Sequence, residues 1–301
     1  MPSLPFVTLD VFTTERFRGN PLGLVKVPKD HSISTEQMQI IAKEFNLSET
    51  VFLHECVAGD DGVTEWSVRI FLTDGEVPFA GHPTIGTSCY ALGTLANNAS
   101  KGRLLCKAGP IQVDYSNGLA KASIPHNIHI HTQAEFTTKQ LYELQPALDQ
   151  PNRVPNAIDV VSPVKGMSFI TAQLPSLEAL AAVQMSRKPT AQLDEGWDVG
   201  FVGSYFYVVK QHGQGSMELQ TRMIEGSFED PATGSAACAL GALLALKRKW
   251  KKASFTITQG VEIGRKSDIT VDVTLAKDLT AVEEIVLGGS AIKVMEGEIH
   301  Y

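Results

Sequence analysis

The stretch Ala236-Ala237-Cys238-Ala239-Leu240-Gly241-Ala242-Leu243-Leu244-Ala245-Leu246 is small and apolar and carries no charge. A helix of that composition has no solvent side, so the rest of the chain must wrap it. At roughly fifteen residues it is too short to span a bilayer. Its head, Glu229-Asp230-Pro231-Ala232-Thr233-Gly234-Ser235, is polar and turn-forming. Proline is excluded from a helix interior, glycine opens backbone conformations closed to other residues, and Ser235 suits a cap. The run Lys247-Arg248-Lys249-Trp250-Lys251-Lys252 ends the apolar stretch with cations at the negative end of the helix dipole. The amides at the helix start point at whatever lies beside Gly234 and Ser235, which makes an anion site.

The same arrangement occurs earlier in the chain. Phe79-Ala80-Gly81-His82-Pro83-Thr84-Ile85-Gly86-Thr87-Ser88-Cys89-Tyr90-Ala91-Leu92-Gly93 also runs from a glycine and a polar residue into an uncharged stretch. An offset of 153 residues places Gly81 on Gly234, His82 on Ser235, Arg69 on Arg222 and Glu65 on Glu218. Arg69 and Arg222 read as repeat-related scaffold residues paired with Glu65 and Glu218. The repeat predicts two similar domains, residues 1–122 (completed by 285–301) and 123–284. Each is expected to be a sheet curled round one helix, with the two helix starts facing a shared cleft.

Between these landmarks the pattern is of many short strands and few helices. Strands are expected at 4–12, 22–27, 51–53, 65–72, 103–107, 111–115, 119–124, 157–161, 167–171, 201–209, 217–223, 254–258, 269–275, 282–287 and 291–295. Ser34-Thr35-Glu36-Gln37 resembles a capping box ahead of Met38, Ile41 and Phe45 at helical spacing. Thr137 to Leu148 reads as one helix, and Leu177, Leu180, Ala181 and Gln184 as a short one. Without regular strand–helix alternation, the class is α+β rather than a doubly wound sheet.

Composition closes off other classes. The 301 residues suit two domains, and the net charge of −7 gives a nucleic-acid role no general support. The basic run at 247–252 reads as a solvated helix end. Cys56, Cys89, Cys106 and Cys238 form no CxxC pair, and two of them lie inside the uncharged helices. Buried thiols in a reducing compartment follow, and with no charged and apolar leader pattern at the start we expect a cytoplasmic protein. His126, His129 and His131 fit neither a HExxH helix nor a zinc finger, so a polar inter-domain linker is expected and no metal site. There is no P-loop, GxGxxG fingerprint or G-x-S-x-G elbow.

Four motifs in order carry a family resemblance: Asp10-Val11-Phe12 with Gly19-Asn20-Pro21; Ser48-Glu49-Thr50-Val51-Phe52; Gly81-His82-Pro83-Thr84; and Asp230-Pro231-Ala232-Thr233-Gly234-Ser235-Ala236. Together they resemble the phenazine-biosynthesis PhzF-like family, over nearly the whole chain. The resemblance implies a diaminopimelate epimerase-like fold: two pseudo-symmetric domains, each a barrel-like, mostly antiparallel sheet around a central helix, with the active site between them. It also implies a cofactor-free isomerase, a homodimer, and a small carboxylate-bearing substrate. By the same resemblance Glu49 is the acid/base, with His82, Asp230 and Ser235 as polar companions and Gly81 and Gly234 as amide donors. Asn20 and Thr233 are further candidates for substrate contact. Epimerases and proline racemases of this fold use a cysteine on each side of the substrate carbon. His82 and Ser235 stand there in this chain.

These residue types suit proton transfer at carbon. Removing such a proton leaves an enolate or carbanion, which fixed helix dipoles stabilise. One glutamate whose carboxyl is raised by an apolar setting could take the proton and return it elsewhere on the same face. The plainer readings are a surface carboxylate for Glu49, a helix-start residue before Pro83 for His82, an Asx turn for Asp230 and an N-cap for Ser235. Two other functions stay open: a non-catalytic metabolite-binding or interaction module of this fold, and an epimerase with non-cysteine acid/base partners.

Overall fold

The computed structural model describes residues 2–133, 136–197 and 200–301. In chain order the first elements are β1 (Ser3–Val11), β2 (Asn20–Val27), α1 (Thr35–Phe45), β3 (Thr50–His54), β4 (Val57–Ala58), β5 (Thr64–Phe71), β6 (Glu76–Val77), α2 (Gly81–Tyr90), β7 (Lys101–Cys106), β8 (Gly109–Ser116) and β9 (Leu119–Ser123). There follow β10 (His129–His131), α3 (Thr138–Leu144), β11 (Ala157–Val164), β12 (Met167–Gln173), α4 (Leu177–Ala181), β13 (Phe201–Gly213), β14 (Ser216–Glu225) and β15 (Phe228–Asp230). The last are α5 (Gly234–Arg248), β16 (Lys252–Gln259), β17 (Ser267–Leu275) and β18 (Val282–His300). Two units contain them: Met1–Pro125 with Leu287–Tyr301, and His126–Val286.

In the first unit the alternation of β5 buries Trp66, Val68 and Ile70 on one face, as a half-buried strand requires. Pairing runs β18–β1–β2–β3–β5–β7–β8–β9 and returns from β9 to β18, closing an eight-stranded barrel. All ten residues of α2 are buried. A β-carbon at Gly86 would sit 2.6 Å from Val11 Cγ2 and 2.7 Å from Leu22 Cδ2, so glycine is what lets the helix lie against the barrel wall. After Tyr90 the helix widens into a π turn over Ala91–Leu95.

The second unit repeats the plan. Its strands pair β10–β11–β12–β13–β14–β16–β17, and α5 packs on β11, β12, β16 and β17. The parallel pairs β2–β3, β5–β7, β12–β13 and β14–β16 are each joined through a helix. The offset of 153 holds in the strand register. Glu65 faces Arg103 as Glu218 faces Thr256, and Ile70 faces Val77 as Met223 faces Asp230. The fold is therefore α+β, two pseudo-symmetric barrel-like sheets each wrapped around a central helix.

Four local expectations need correction. Arg69 and Arg222 are scaffold residues, but their partners are Glu76 and Glu229, each held by two hydrogen bonds of 2.6–2.8 Å. Glu65 instead pairs with Arg103. The strands expected at 282–287 and 291–295 are the single strand β18, because Gly288 and Gly289 make no turn. Gly289 leaves room for the Phe12 ring, whose Cδ1 would lie 2.3 Å from a β-carbon there. The helix expected over 137–148 stops at Leu144, and a 3₁₀ turn takes Pro146–Leu148, since Pro146 has no N–H to continue it. His129 and His131 form a strand of the second unit rather than a linker.

Candidate functional site

The three peripheral helices begin with side-chain caps: Ser34 accepts from the Gln37 N–H, Thr137 from Gln140 and Ser176 from Ala179. The two central helices do not. Neither Ala80, the N-cap of α2, nor Thr233, the N-cap of α5, makes a side-chain cap hydrogen bond. The positive ends of these two buried dipoles are thus not neutralised by the side chain at the N-cap.

In the first unit the start of α2 comes together with Glu49. Strands β2 and β3 run parallel with Gly23 opposite Thr50, so Asn20, the first residue of β2, and Glu49, just before β3, lie at the same end of the pair. Asn20 is 2% exposed and opposes Val11, the last residue of β1. His82, in the first turn of α2, is buried, and its Nδ1 lies 3.6 Å from Glu49 Oε2. That is ion-pair distance, beyond a direct hydrogen bond. The Glu49 side chain is 16% exposed. Burial drives its carboxyl up to about 7, against a smaller opposing effect of the Ser48 hydroxyl. A carboxyl in that range exchanges protons readily at neutral pH. Gly81 is the first residue of α2, beside His82.

In the second unit Asp230, Thr233 and Gly234 form the turn that opens α5. The Thr233 hydroxyl, at 2.6 Å, donates to Asp230 Oδ2 instead of serving the helix amides. Ser235 is the second helical residue and not the N-cap that its sequence context suggests. It sits where His82 sits in α2. Gln259, unremarked in the sequence, is fully buried at the end of β16 and bonds to this turn at three points.

The thiols play no part in either group. Burial pushes both Cys89 and Cys238 up to about 12, so neither is a base near neutrality. Among the described residues, His129, His131 and Asp194 gather their ligand atoms within 4.8 Å of one another. The His131 ring is already committed on both sides: Nδ1 accepts from the Asp194 N–H at 3.1 Å and Nε2 bonds Ser162 Oγ at 2.8 Å. Burial opposes ionisation of Asp194, but the N–H groups of Gln133 and Thr132 and the His129 ring bring it down to about 2. The cluster clasps the segment around Asp194 to β10 and, with His131 so occupied, is a poor coordination shell. A groove of about 520 Å³ lined by His131, Phe136, Pro155 and Asn156 contains none of the predicted site residues.

The family model described as phenazine biosynthesis-like protein matches residues 9–297. The chain belongs to that family. It is 32% identical to an uncharacterised isomerase of Mesorhizobium japonicum, over 99% of each chain. It is 29% identical to trans-2,3-dihydro-3-hydroxyanthranilate isomerase of Pseudomonas fluorescens, over 98% of each. The crystal structure of a PhzF-family protein from Bacillus anthracis superposes with a TM-score of 0.75 at 22% identity, covering all of both chains. This chain is accordingly an enzyme of the isomerase class. None of its described helices is long and apolar enough to cross a membrane.

Proposed function

We propose that the chain shifts a proton along a small carboxylate-bearing metabolite, with Glu49 as the acid/base and no cofactor. The observation that carries this is Glu49 itself, a shielded carboxyl raised to about 7 and 3.6 Å from His82 at an uncapped helix start. In this reading Glu49 takes a proton from carbon, and the C–H electron pair passes into the conjugated system of the substrate. The Glu49 carboxyl, which exchanges its proton with solvent before handing one back, then delivers a proton to another carbon on that face, so the product is an isomer and no electrons are gained or lost. His82 and Asp230 orient the substrate's polar groups. Gly81, Gly234 and Ser235 offer donors to its carboxylate, and Asn20 and Thr233 complete the polar lining.

The name of the Pseudomonas relative supplies the first compound to try, trans-2,3-dihydro-3-hydroxyanthranilate. We further place the enzyme in the cytoplasm as a homodimer, which sedimentation checks. The experiment for the central reading is proton exchange in D2O, followed by NMR and mass. The wild type should incorporate deuterium into the isomerised product, and Glu49→Gln should lose at least a hundredfold in rate, the scale of general acid–base catalysis (roughly 10²–10⁴). Equal rates in the two proteins would remove Glu49 from the chemistry.

A further inference from the structure

The turn that opens α5 is held by a buried polar network. The Gln259 orientation follows from one unambiguous donor: the Thr233 backbone N–H gives its proton to Gln259 Oε1 at 3.3 Å. The Gln259 amide nitrogen must then donate, to the Asp230 carbonyl at 2.8 Å and to Thr233 Oγ1 at 3.0 Å. With that lone pair engaged, the Thr233 hydroxyl turns its own proton to Asp230 Oδ2 at 2.6 Å. Tyr205 and Thr221, both fully buried, lie with their hydroxyls 3.2 and 3.5 Å from Gln259 Oε1. Every proton in the chain from Gln259 to Asp230 therefore has one direction.

The first unit builds the same strand, turn and helix without any of this. By strand register and the offset of 153, Asp230 stands where Val77 stands, Thr233 on Ala80, Gln259 on Cys106 and Thr221 on Val68. Tyr205 opposes Met223 as Val51 opposes Ile70. Five polar residues thus replace five that carry no hydrogen-bonding hydroxyl, amide or carboxylate. A barrel and its central helix of this design fold with apolar groups at these places. Burying polar groups gains little over apolar packing and costs heavily if one partner is lost. The plan of strand, turn and helix therefore does not by itself call for the network.

We infer that Gln259 is a positioning residue: acting through the Thr233 hydroxyl, which donates to Asp230 Oδ2, it fixes the orientation of the Asp230 carboxylate. This rests on the reading that Asp230 takes part in the proposed reaction. The alternative is a purely structural clamp on the turn, for which the hydroxyl of Thr233 is dispensable.

The test grafts the residues that the first unit tolerates. Thr233→Ala, Thr233→Ser, Gln259→Cys and the double variant Thr233→Ala/Gln259→Cys are compared with wild type and Glu49→Gln in the deuterium assay on trans-2,3-dihydro-3-hydroxyanthranilate. Near-ultraviolet circular dichroism reports folding. Loss of a hydrogen bond to a charged group predicts a fall in kcat of about tenfold or more for Thr233→Ala, with KM changed less than threefold. Thr233→Ser should recover kcat to within about threefold, because it keeps the hydroxyl. The double variant should be no slower than the slower single one, since both act through one contact. Thr233→Ala folded and turning over at the wild-type kcat overturns the inference even if Gln259→Cys does not fold. So does a loss confined to KM, or a double variant whose losses multiply. If the wild type exchanges protons and Glu49→Gln does not, those outcomes count against Gln259 alone. If the wild type exchanges none, or Glu49→Gln matches it, the proposed reaction fails and the inference falls with it.

Discussion

Glu49 should destabilise the protein that carries it. Burial raises its carboxyl from an ordinary 4.5 to about 7, so between those values the folded chain holds a proton that the unfolded chain has released. Stability therefore falls as pH rises through that window and levels off above it. At about 1.36 kcal/mol per pH unit the full displacement corresponds to about 3 kcal/mol. Glu49→Gln keeps the size and removes the charge. It should match the wild type below pH 4.5 and exceed it by about 3 kcal/mol at pH 8, a large gain for one substitution. Urea unfolding at pH 4, 6 and 8, followed by tryptophan fluorescence, reads the difference at each pH. A difference that does not grow with pH, or a Gln variant weaker than wild type at pH 8, would refute the assignment of a desolvated carboxyl at this position.

Three further outcomes follow from the packing. Arg222→Met leaves Glu229, 6% exposed, without its cation and should cost about 3–5 kcal/mol, whereas Arg69→Met at the equivalent, more open place, where Lys107 still reaches Glu76, should cost less than half of that in the same urea assay. Cys89→Ala and Cys238→Ala should keep the proton-exchange rate within about twofold, because thiols raised to about 12 are not bases at neutral pH; a hundredfold loss in either would return thiol chemistry to consideration. Phe17 is 70% exposed at φ +66, held by its N–H donating to Asp10 Oδ2 at 2.6 Å, so Phe17→Gly should raise stability by about 1 kcal/mol in thermal unfolding; a loss would mean the ring packs usefully.

The two central helices were legible because a run without charge has only one place to go, and the repeat because residues such as Gly81/Gly234 and Arg69/Arg222 are the same in both halves. What that comparison missed lies where the halves differ. Glu76 and Glu229 share the offset too, but they sit seven residues past their arginines on the next strand, out of reach of a search along one strand. Gln259 carries no sequence signal, because its counterpart is Cys106 and a lone glutamine ending a strand has no motif. Placing Ser235 as a cap failed because Thr233 takes that position, and its hydroxyl is spent on Asp230. Gly288 and Gly289 fall between the strands expected at 282–287 and 291–295; the Phe12 ring, far away in sequence, explains a glycine inside the continuous strand. Sequence similarity between the halves marks the scaffold here, and dissimilarity marks the polar residues that the scaffold does not need.

The most direct measurement is a carbon-13 NMR titration of the glutamate side-chain carboxyls, with Glu49→Gln to assign the signal. One carboxyl should titrate with a midpoint near 7 and vanish in the variant. A Glu49 signal that titrates between about 4 and 5, like a solvated glutamate, would contradict a carboxyl poised to move protons at neutral pH.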